Sequence, residues 1–164
     1  MELNDYQKKL PKFILELAEK YDLKLPKSER DNEADFWRCH NNWILKHDAC
    51  EKIAKREGII FETPTVNFDS SPSVALLIKG TYIKTINDKE GNFKEFEEIK
   101  EWSFGEANAN NTRMPYWWAM AEKRGKDRVI LKLIGAYEKG LYSEVESDSW
   151  DRLAQHDKDL DDLN

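Results

Sequence analysis

The sequence has few cysteines, which could form disulfides, and few prolines and glycines, which interrupt helices and strands. It contains two cysteines, five prolines and seven glycines among 164 residues. Two cysteines cannot supply the disulfide framework of a small secreted domain. No run approaches the roughly 18 consecutive apolar residues of a membrane span. The first residues, Met-Glu-Leu-Asn-Asp, lack the basic and then apolar order of a signal peptide. These absences favour a cytoplasmic protein without a membrane partner, long enough to bury one core.

Residues with catalytic or metal-binding chemistry are also scarce. The chain has three histidines, no glycine-rich phosphate loop and no serine or cysteine nucleophile motif. Four side chains of zinc-ligand type occur in its first third: Cys39, His40, His47 and Cys50. The adjacent pair Cys39-His40 is an awkward start for a zinc site, because the usual short spacing between two cysteines is missing. Zinc therefore stays an alternative, and we predict no metal.

Two further catalytic interpretations each lack a component. His47-Asp48 would need more histidine and aspartate ligands to form a metal phosphohydrolase site. Glu106 and Glu122, beside Lys123, have the chemistry of a magnesium nuclease, but no aspartate on a strand completes that set. We therefore expect a protein that is not an enzyme and needs no cofactor.

Charge is distributed unevenly along the chain, whose net charge is −6. Residues 144–164 hold eight acids and two bases, so the whole net charge lies in this C-terminal segment and 1–143 is neutral. Within the neutral part, 113–139 holds seven bases and three acids. This layout predicts one domain over 1–143 with a basic element, followed by an acidic tail over 144–164.

Hydrophobic periodicity predicts an α+β fold. Apolar residues at helical spacing indicate a helix from about Leu10 to Leu25, and a second from about His47 to Glu57 that ends at Gly58. The middle of the chain changes to a period of two. We expect strands over about 59–66, 74–86 and 93–104, with a turn at 87–92. They would form an antiparallel meander of three to four strands, packed against a long helix toward the C-terminus.

That long helix is expected from Pro115 to Leu133, with Gly135 after its end. One stripe along it is apolar or small, and we expect Gly125 in this stripe to let the helix approach the sheet closely. The neighbouring stripe is basic: Arg124, Arg128 and Lys132 recur every four residues. Three like charges in line repel one another unless an anion lies there, and phosphate is such an anion.

Aromatic residues accompany the basic helix. Tyr116-Trp117-Trp118 precede it, and the strands carry five more: Tyr82, Phe93, Phe96, Trp102 and Phe104. Base stacking on aromatic rings beside basic side chains is how single strands are bound without sequence preference. Burial statistics favour the core for most of these rings, so the basic stripe is the stronger signal.

Two segments resemble phage single-strand annealing proteins of the Erf and Sak-like group, related in fold to the eukaryotic annealing protein of double-strand break repair. They are Trp-Ser-Phe-Gly-Glu-Ala at 102–107 and Ala-Met-Ala-Glu-Lys-Arg-Gly-Lys-Asp-Arg-Val-Ile-Leu-Lys-Leu-Ile-Gly at 119–135. The resemblance implies rings or filaments of protomers that hold single-stranded DNA in a basic groove. Carried over, it points to the basic residues of the helix.

We therefore predict an ATP-independent protein of phage-type recombination that binds and anneals single-stranded DNA as a homo-oligomer in the cytoplasm of a bacterial host. The predicted nucleic-acid-binding residues are Arg113, Lys123, Arg124, Lys126, Arg128 and Lys132. The alternative is a phage-encoded protein that binds and inhibits a host protein through its acidic tail, as a nucleic-acid mimic.

Overall fold

An α+β architecture surrounds one long helix in the computed structural model, which describes residues 2–70, 73–112 and 115–147. The helices are α1 (Lys12–Tyr21), α2 (His47–Glu57) and α3 (Trp117–Leu133), with short 3-10 turns at Gln7–Lys9 and Tyr137–Lys139. The strands are β1 (Phe36–Cys39), β2 (Asn42–Leu45), β3 (Ile60–Phe61), β4 (Thr65–Ser70), β5 (Ser73–Asn87), β6 (Phe93–Asn108) and β7 (Leu141–Ser143). The predicted α+β class is confirmed.

The larger sheet is the predicted meander. β5 lies in its centre, with β4 and the short β3 along one side and β6 along the other, all antiparallel. The turn between β5 and β6 is organised by Asp88, whose carboxylate accepts hydrogen bonds from the backbone N–H groups of Glu90 and Asn92. β6 continues four residues beyond the predicted end at Phe104 and ends at Asn108.

The smaller sheet was not predicted. β1 and β2 form an antiparallel hairpin, and β7 adds to β2 in parallel after crossing from the end of α3. These strands are only three or four residues long, too short for a period of two to stand out in the sequence.

Helix α3 separates two cores. One side packs on the larger sheet through Ala121, Val129 and Leu133. The other side contributes Ile130 and Leu131 to a core shared with α1, α2 and the smaller sheet. A helix that is apolar on two sides has to be enclosed on two sides, so α3 is the central layer of the molecule.

The predicted close approach of α3 to the sheet is confirmed, and it depends on two glycines. A Cβ at Gly105 of β6 would overlap the carbonyl oxygen of Ala121. A Cβ at Gly125 of α3 would overlap the side chain of Ile78 and lie 3.2 Å from the backbone nitrogen of Gly105. The helix and the sheet can therefore pack at this distance only because neither glycine carries a side chain.

In the described parts of the chain, no helix is both long enough and apolar enough to cross a bilayer. Residues 144–147, the first of the predicted acidic tail, are helical and contact the body. Glu146 accepts hydrogen bonds from the Tyr137 hydroxyl and the Ser143 backbone N–H. The rest of the predicted tail, and the predicted site residue Arg113, lie outside the described residues.

Candidate nucleic-acid interface

The basic stripe of α3 lies along the outer edge of β6. Arg124 Nη1 donates to the carbonyl oxygen of Glu106, Arg128 Nη1 to that of Phe104, and Lys132 Nζ to that of Trp102, each over 2.7 Å. Four residues of helix rise about 6 Å, and two residues of strand rise about 6.7 Å. The two repeats nearly match, so each basic residue meets the next outward-facing carbonyl of β6.

Arg124 is the most deeply engaged member of the stripe. Its exposed fraction is 2%, and its guanidinium also donates to the side-chain and backbone oxygens of Asn111 over 2.7 and 2.5 Å. The Asn111 amide oxygen in turn accepts the backbone N–H of Asn108. Arg124 therefore ties the loop between β6 and α3 to both elements.

The anion expected beside the stripe is supplied by the protein itself. Arg128 forms a two-pronged ion pair with Glu106, at 2.9 and 3.1 Å, and each of the three basic side chains also donates to a backbone carbonyl of β6. The expectation that Arg124 contacts phosphate is wrong, because this side chain is buried. The stripe closes an open sheet edge, and such edges otherwise invite pairing with other strands.

The other predicted site residues do not join this edge. Lys126 forms an ion pair with Glu122 at 2.6 Å, and its ammonium lies 5.5 Å from the centre of the Phe61 ring, on the side of the sheet where β3 lies. Lys123 lies near His47 of α2. The structure thus brings Arg124, Arg128 and Lys132 together and separates Lys123 and Lys126 from them.

No described part of the chain covers the face of the larger sheet that points away from α3, and we call it the open face. Its large apolar side chains come from all four strands and are exposed: Ile60, Phe68, Ile83, Phe93, Phe96, Trp102 and Phe104. A single exposed apolar residue is ordinary, but several large ones on one face of a sheet mark an interaction surface. The interpretation of these strand aromatics as mostly core residues is wrong.

Trp102 is the central residue in the part of the open face that lies nearest to the helices. It is 54% exposed, and its ring meets that of Phe104 edge-on, with 5.5 Å between the ring centres. Three lysines surround it: Lys79 is its direct partner on β5, Lys100 precedes it by two residues on the same face, and the Lys132 ammonium lies 5.4 Å from its ring centre.

The acids near these lysines leave their ammonium groups accessible. Glu98 contacts Lys100 at 2.8 Å, and Glu62 lies 3.7 Å from Lys79, but both lysine side chains remain about half exposed or more. Exposed ion pairs of this kind contribute little and exchange easily with other anions. Exposed aromatic rings beside accessible ammonium groups are the chemistry of a stacking platform for nucleic-acid bases.

A signal in the sequence could have identified these rings. In 102–107, bulky residues alternate with small ones, Ser103, Gly105 and Ala107. Because α3 is close enough to touch the backbone, the small residues must face it, and the large ones must face outward. The alternation is visible in the sequence, but its direction depends on where the helix packs.

A polar pair lies on the other side of α3. His47 Nδ1 is 2.7 Å from Asp127 Oδ1, and Asp127 is fully buried. The hydrogen bond with Asp127 raises the pKa of His47, while burial acts in the opposite direction. Burial also raises the pKa of the neighbouring Cys50 thiol well above its usual value, so this cysteine is not an activated nucleophile. The pair joins α2 to α3.

Within 2–70, 73–112 and 115–147, no three histidine, cysteine, aspartate or glutamate side chains are arranged to hold a metal ion. Comparisons of the chain with protein-family models, curated proteins and solved structures found no match. The resemblance to phage annealing proteins therefore stays a prediction, and the candidate function depends on the chemistry of the surface.

Proposed function

We propose that the protein binds single-stranded nucleic acid across the open face, with bases stacked on Trp102 and Phe104 and phosphates contacted by Lys79, Lys100 and Lys132. The observation that carries this proposal is the exposed Trp102–Phe104 pair with three lysines around it. Duplex DNA hides the faces of its bases, so this chemistry selects single strands.

Annealing would follow from the same contacts. A base that stacks on an aromatic ring keeps the edge that forms base pairs free, so a bound strand remains able to pair with its complement. Neither stacking nor pairing consumes ATP. We therefore propose annealing of single-stranded DNA, in the cytoplasm of a bacterial host, as the activity that this binding serves.

The test is fluorescence anisotropy with a labelled single-stranded oligonucleotide and the matching duplex. Trp102→Ala should weaken single-strand binding on the order of 10-fold to 100-fold, because stacking contributes about 1–3 kcal/mol per base. Trp118→Ala is the matched control, since Trp118 is also an exposed tryptophan but lies on α3 rather than on the open face. Equal effects of the two substitutions, or equal affinity for duplex and single strand, would overturn the proposal.

Salt dependence tests the phosphate contacts separately. Each lost contact with a single strand lowers the slope of log affinity against log salt by about 0.7. The double substitution Lys79→Gln with Lys100→Gln should therefore lower the slope by about 1.4. An unchanged slope would place the phosphates elsewhere.

Self-assembly is part of the same proposal, because one open face offers only a short track for a strand. Side-by-side protomers would join these tracks into one groove. Light scattering coupled to size-exclusion chromatography, with and without a single-stranded oligonucleotide, should show a species larger than 19.3 kDa. A strict monomer in both conditions would contradict the annealing model.

The second candidate function is binding of a host protein, and one region favours it. We call residues 82–99, the outer half of the β5–β6 hairpin, the arm. Phe93 and Phe96 pack against each other near its tip, with ring centres 4.8 Å apart, and both are largely exposed. Residues 83–98 carry five acids and three lysines, so apolar contact with a protein suits the arm better than phosphate does. Loss of partner binding in Phe96→Ser but not in Trp102→Ala would support this alternative.

A further inference from the structure

A small cleft opens beneath the base of the arm, on the side opposite the open face. Its volume is about 380 Å³, and it lies between the arm, the ends of α1 and α2 and the C-terminal end of α3. Its charged and hydroxyl side chains are Lys20, Tyr21, Glu57, Tyr82, Lys84 and Lys132. Three ammonium groups and one carboxylate give the cleft an excess of positive charge.

The described residues contribute one carboxylate to the cleft, and it is already engaged. Glu57 accepts hydrogen bonds from the Tyr21 hydroxyl and from Lys20 Nζ, both over 2.5 Å. Tyr82 also hydrogen-bonds to Glu57, and burial together with this bond raises the pKa of Tyr82 to about 12. Glu57 is therefore balanced by Lys20, which leaves the charges of Lys84 and Lys132. Glu97 is the direct partner of Lys84 on β6 but does not line the cleft.

These two lysines have donors to spare. Lys132 gives one hydrogen bond to the Trp102 carbonyl, and an ammonium group has three donors. Among the residues that the structure describes, none pairs with the Lys84 ammonium. The C-terminal end of α3 carries partial negative charge, which is reduced because the carbonyls of Ile130, Leu131 and Lys132 accept backbone hydrogen bonds from the turn that follows the helix.

Lys132 connects this cleft to the open face. Its ammonium lies at the edge of β6, against the Trp102 ring and carbonyl, and the residue also lines the cleft. We infer that the cleft binds a phosphate group, and that a strand stacked on Trp102 crosses the edge of β6 and places a backbone phosphate between Lys84 and Lys132. The part of this inference that concerns the strand rests on the proposed function.

The test compares two lysines of the arm. Lys84→Gln removes a cleft donor, whereas Lys89→Gln removes an exposed lysine from the β5–β6 turn, outside the cleft, and serves as the control. With a single-stranded oligonucleotide, Lys84→Gln should lower the salt slope by about 0.7, and Lys89→Gln should leave it unchanged. Equal slopes for Lys84→Gln and the unmodified protein would overturn the strand path.

A second measurement does not depend on strand binding. Titration of the unmodified protein with inorganic phosphate, followed by amide chemical shifts, should move the signals of Tyr82, Lys84 and Gly135, and Lys84→Gln should abolish these shifts. If phosphate moves them while no oligonucleotide binds, the cleft is a site for a free phosphate or phosphate ester and the proposed function fails. If oligonucleotides bind in a Trp102-dependent way while phosphate moves nothing, the proposed function stands and the cleft inference fails.

Discussion

The two faces of the larger sheet use the same strands for opposite purposes. On the face toward α3, β6 presents Ser103, Gly105 and Ala107, and the helix lies against the backbone. On the open face the same strand presents Trp102 and Phe104, which no described part of the chain covers. The first face stabilises the fold, and the second is available to a partner. Substitutions on the two faces should therefore separate stability from binding.

The largest expected loss of stability comes from the closest contact between the larger sheet and α3. Gly105→Ala would drive a Cβ into the carbonyl of Ala121, and the helix would have to move because that atom is backbone. We expect a loss of about 3 kcal/mol in the free energy of unfolding, measured by urea denaturation. Phe104→Ala, one residue away on the open face, should cost less than about 1 kcal/mol. Equal losses would mean that the two faces do not differ in this way.

The basic stripe should show a gradient of stability along its length. Arg124→Leu leaves the carbonyls of Glu106 and Asn111 without their buried donor, and we expect a loss of about 2 kcal/mol. Lys132→Leu should cost under about 1 kcal/mol, because this side chain is exposed and water can replace it. Thermal and urea unfolding of the two variants measure the gradient. Equal, small losses would show that the stripe is not structural.

The His47–Asp127 pair joins α2 to α3, and its contribution to the free energy of unfolding should depend on pH. The pKa of His47 is raised in the folded state, so the charged pair with Asp127 contributes fully below the unfolded value of about 6.5. That contribution is lost as pH rises through the folded pKa. Lys123 opposes the charge on His47 and Glu51 favours it, and Glu144 accepts the His47 backbone N–H.

His47→Gln should therefore lower the free energy of unfolding by about 1 kcal/mol at pH 5.5 and by less at pH 8.5. Glu51→Gln is the control, because Glu51 is exposed and lies 3.4 Å from the other ring nitrogen. A loss in His47→Gln that grows with pH would contradict the assignment. Single-strand binding by the variant should be unchanged wherever it is folded.

The smallest change in the free energy of unfolding is expected for a substitution in the arm. Phe96→Ser should change the free energy of unfolding by no more than about 0.5 kcal/mol, since Phe96 is 67% exposed. Ile99→Ser, on the same strand but partly buried against the core at the base of the arm, should cost more than about 1 kcal/mol. Both are read from urea denaturation at low protein concentration. A loss in Phe96→Ser that grows with protein concentration would show that the arm is buried between protomers.

Much of the local structure followed from sequence. Helix α2 has the bounds His47–Glu57 that its pattern predicts, and Gly58 follows it in the left-handed conformation. The turn at 87–92 and the end of α3 before Gly135 were also predicted. These features depend on neighbours in the chain, on periodicity and on residues with particular backbone preferences, so the local sequence is enough to predict them.

The candidate site did not follow in the same way. The sequence shows that Arg124, Arg128 and Lys132 share one helix face, but the partner of that face is a strand edge 18 to 30 residues earlier in the chain. Repulsion within the stripe indicated an anion, and backbone carbonyls satisfied the same charges. The pattern on a helix shows which kind of partner its side chains need. It does not show which other element of the fold provides that partner.

The sequence by itself determined an α+β chain with a meander, a close-packed helix and a neutral body before an acidic segment. Only the tertiary structure decided which face of the meander α3 covers, and with it whether Trp102 is a core residue or a surface residue. The physical reason is that alternation places residues on two faces, whereas burial depends on what packs against each face. Gly105 and Gly125 allow α3 onto one face, and the aromatic rings are left on the other.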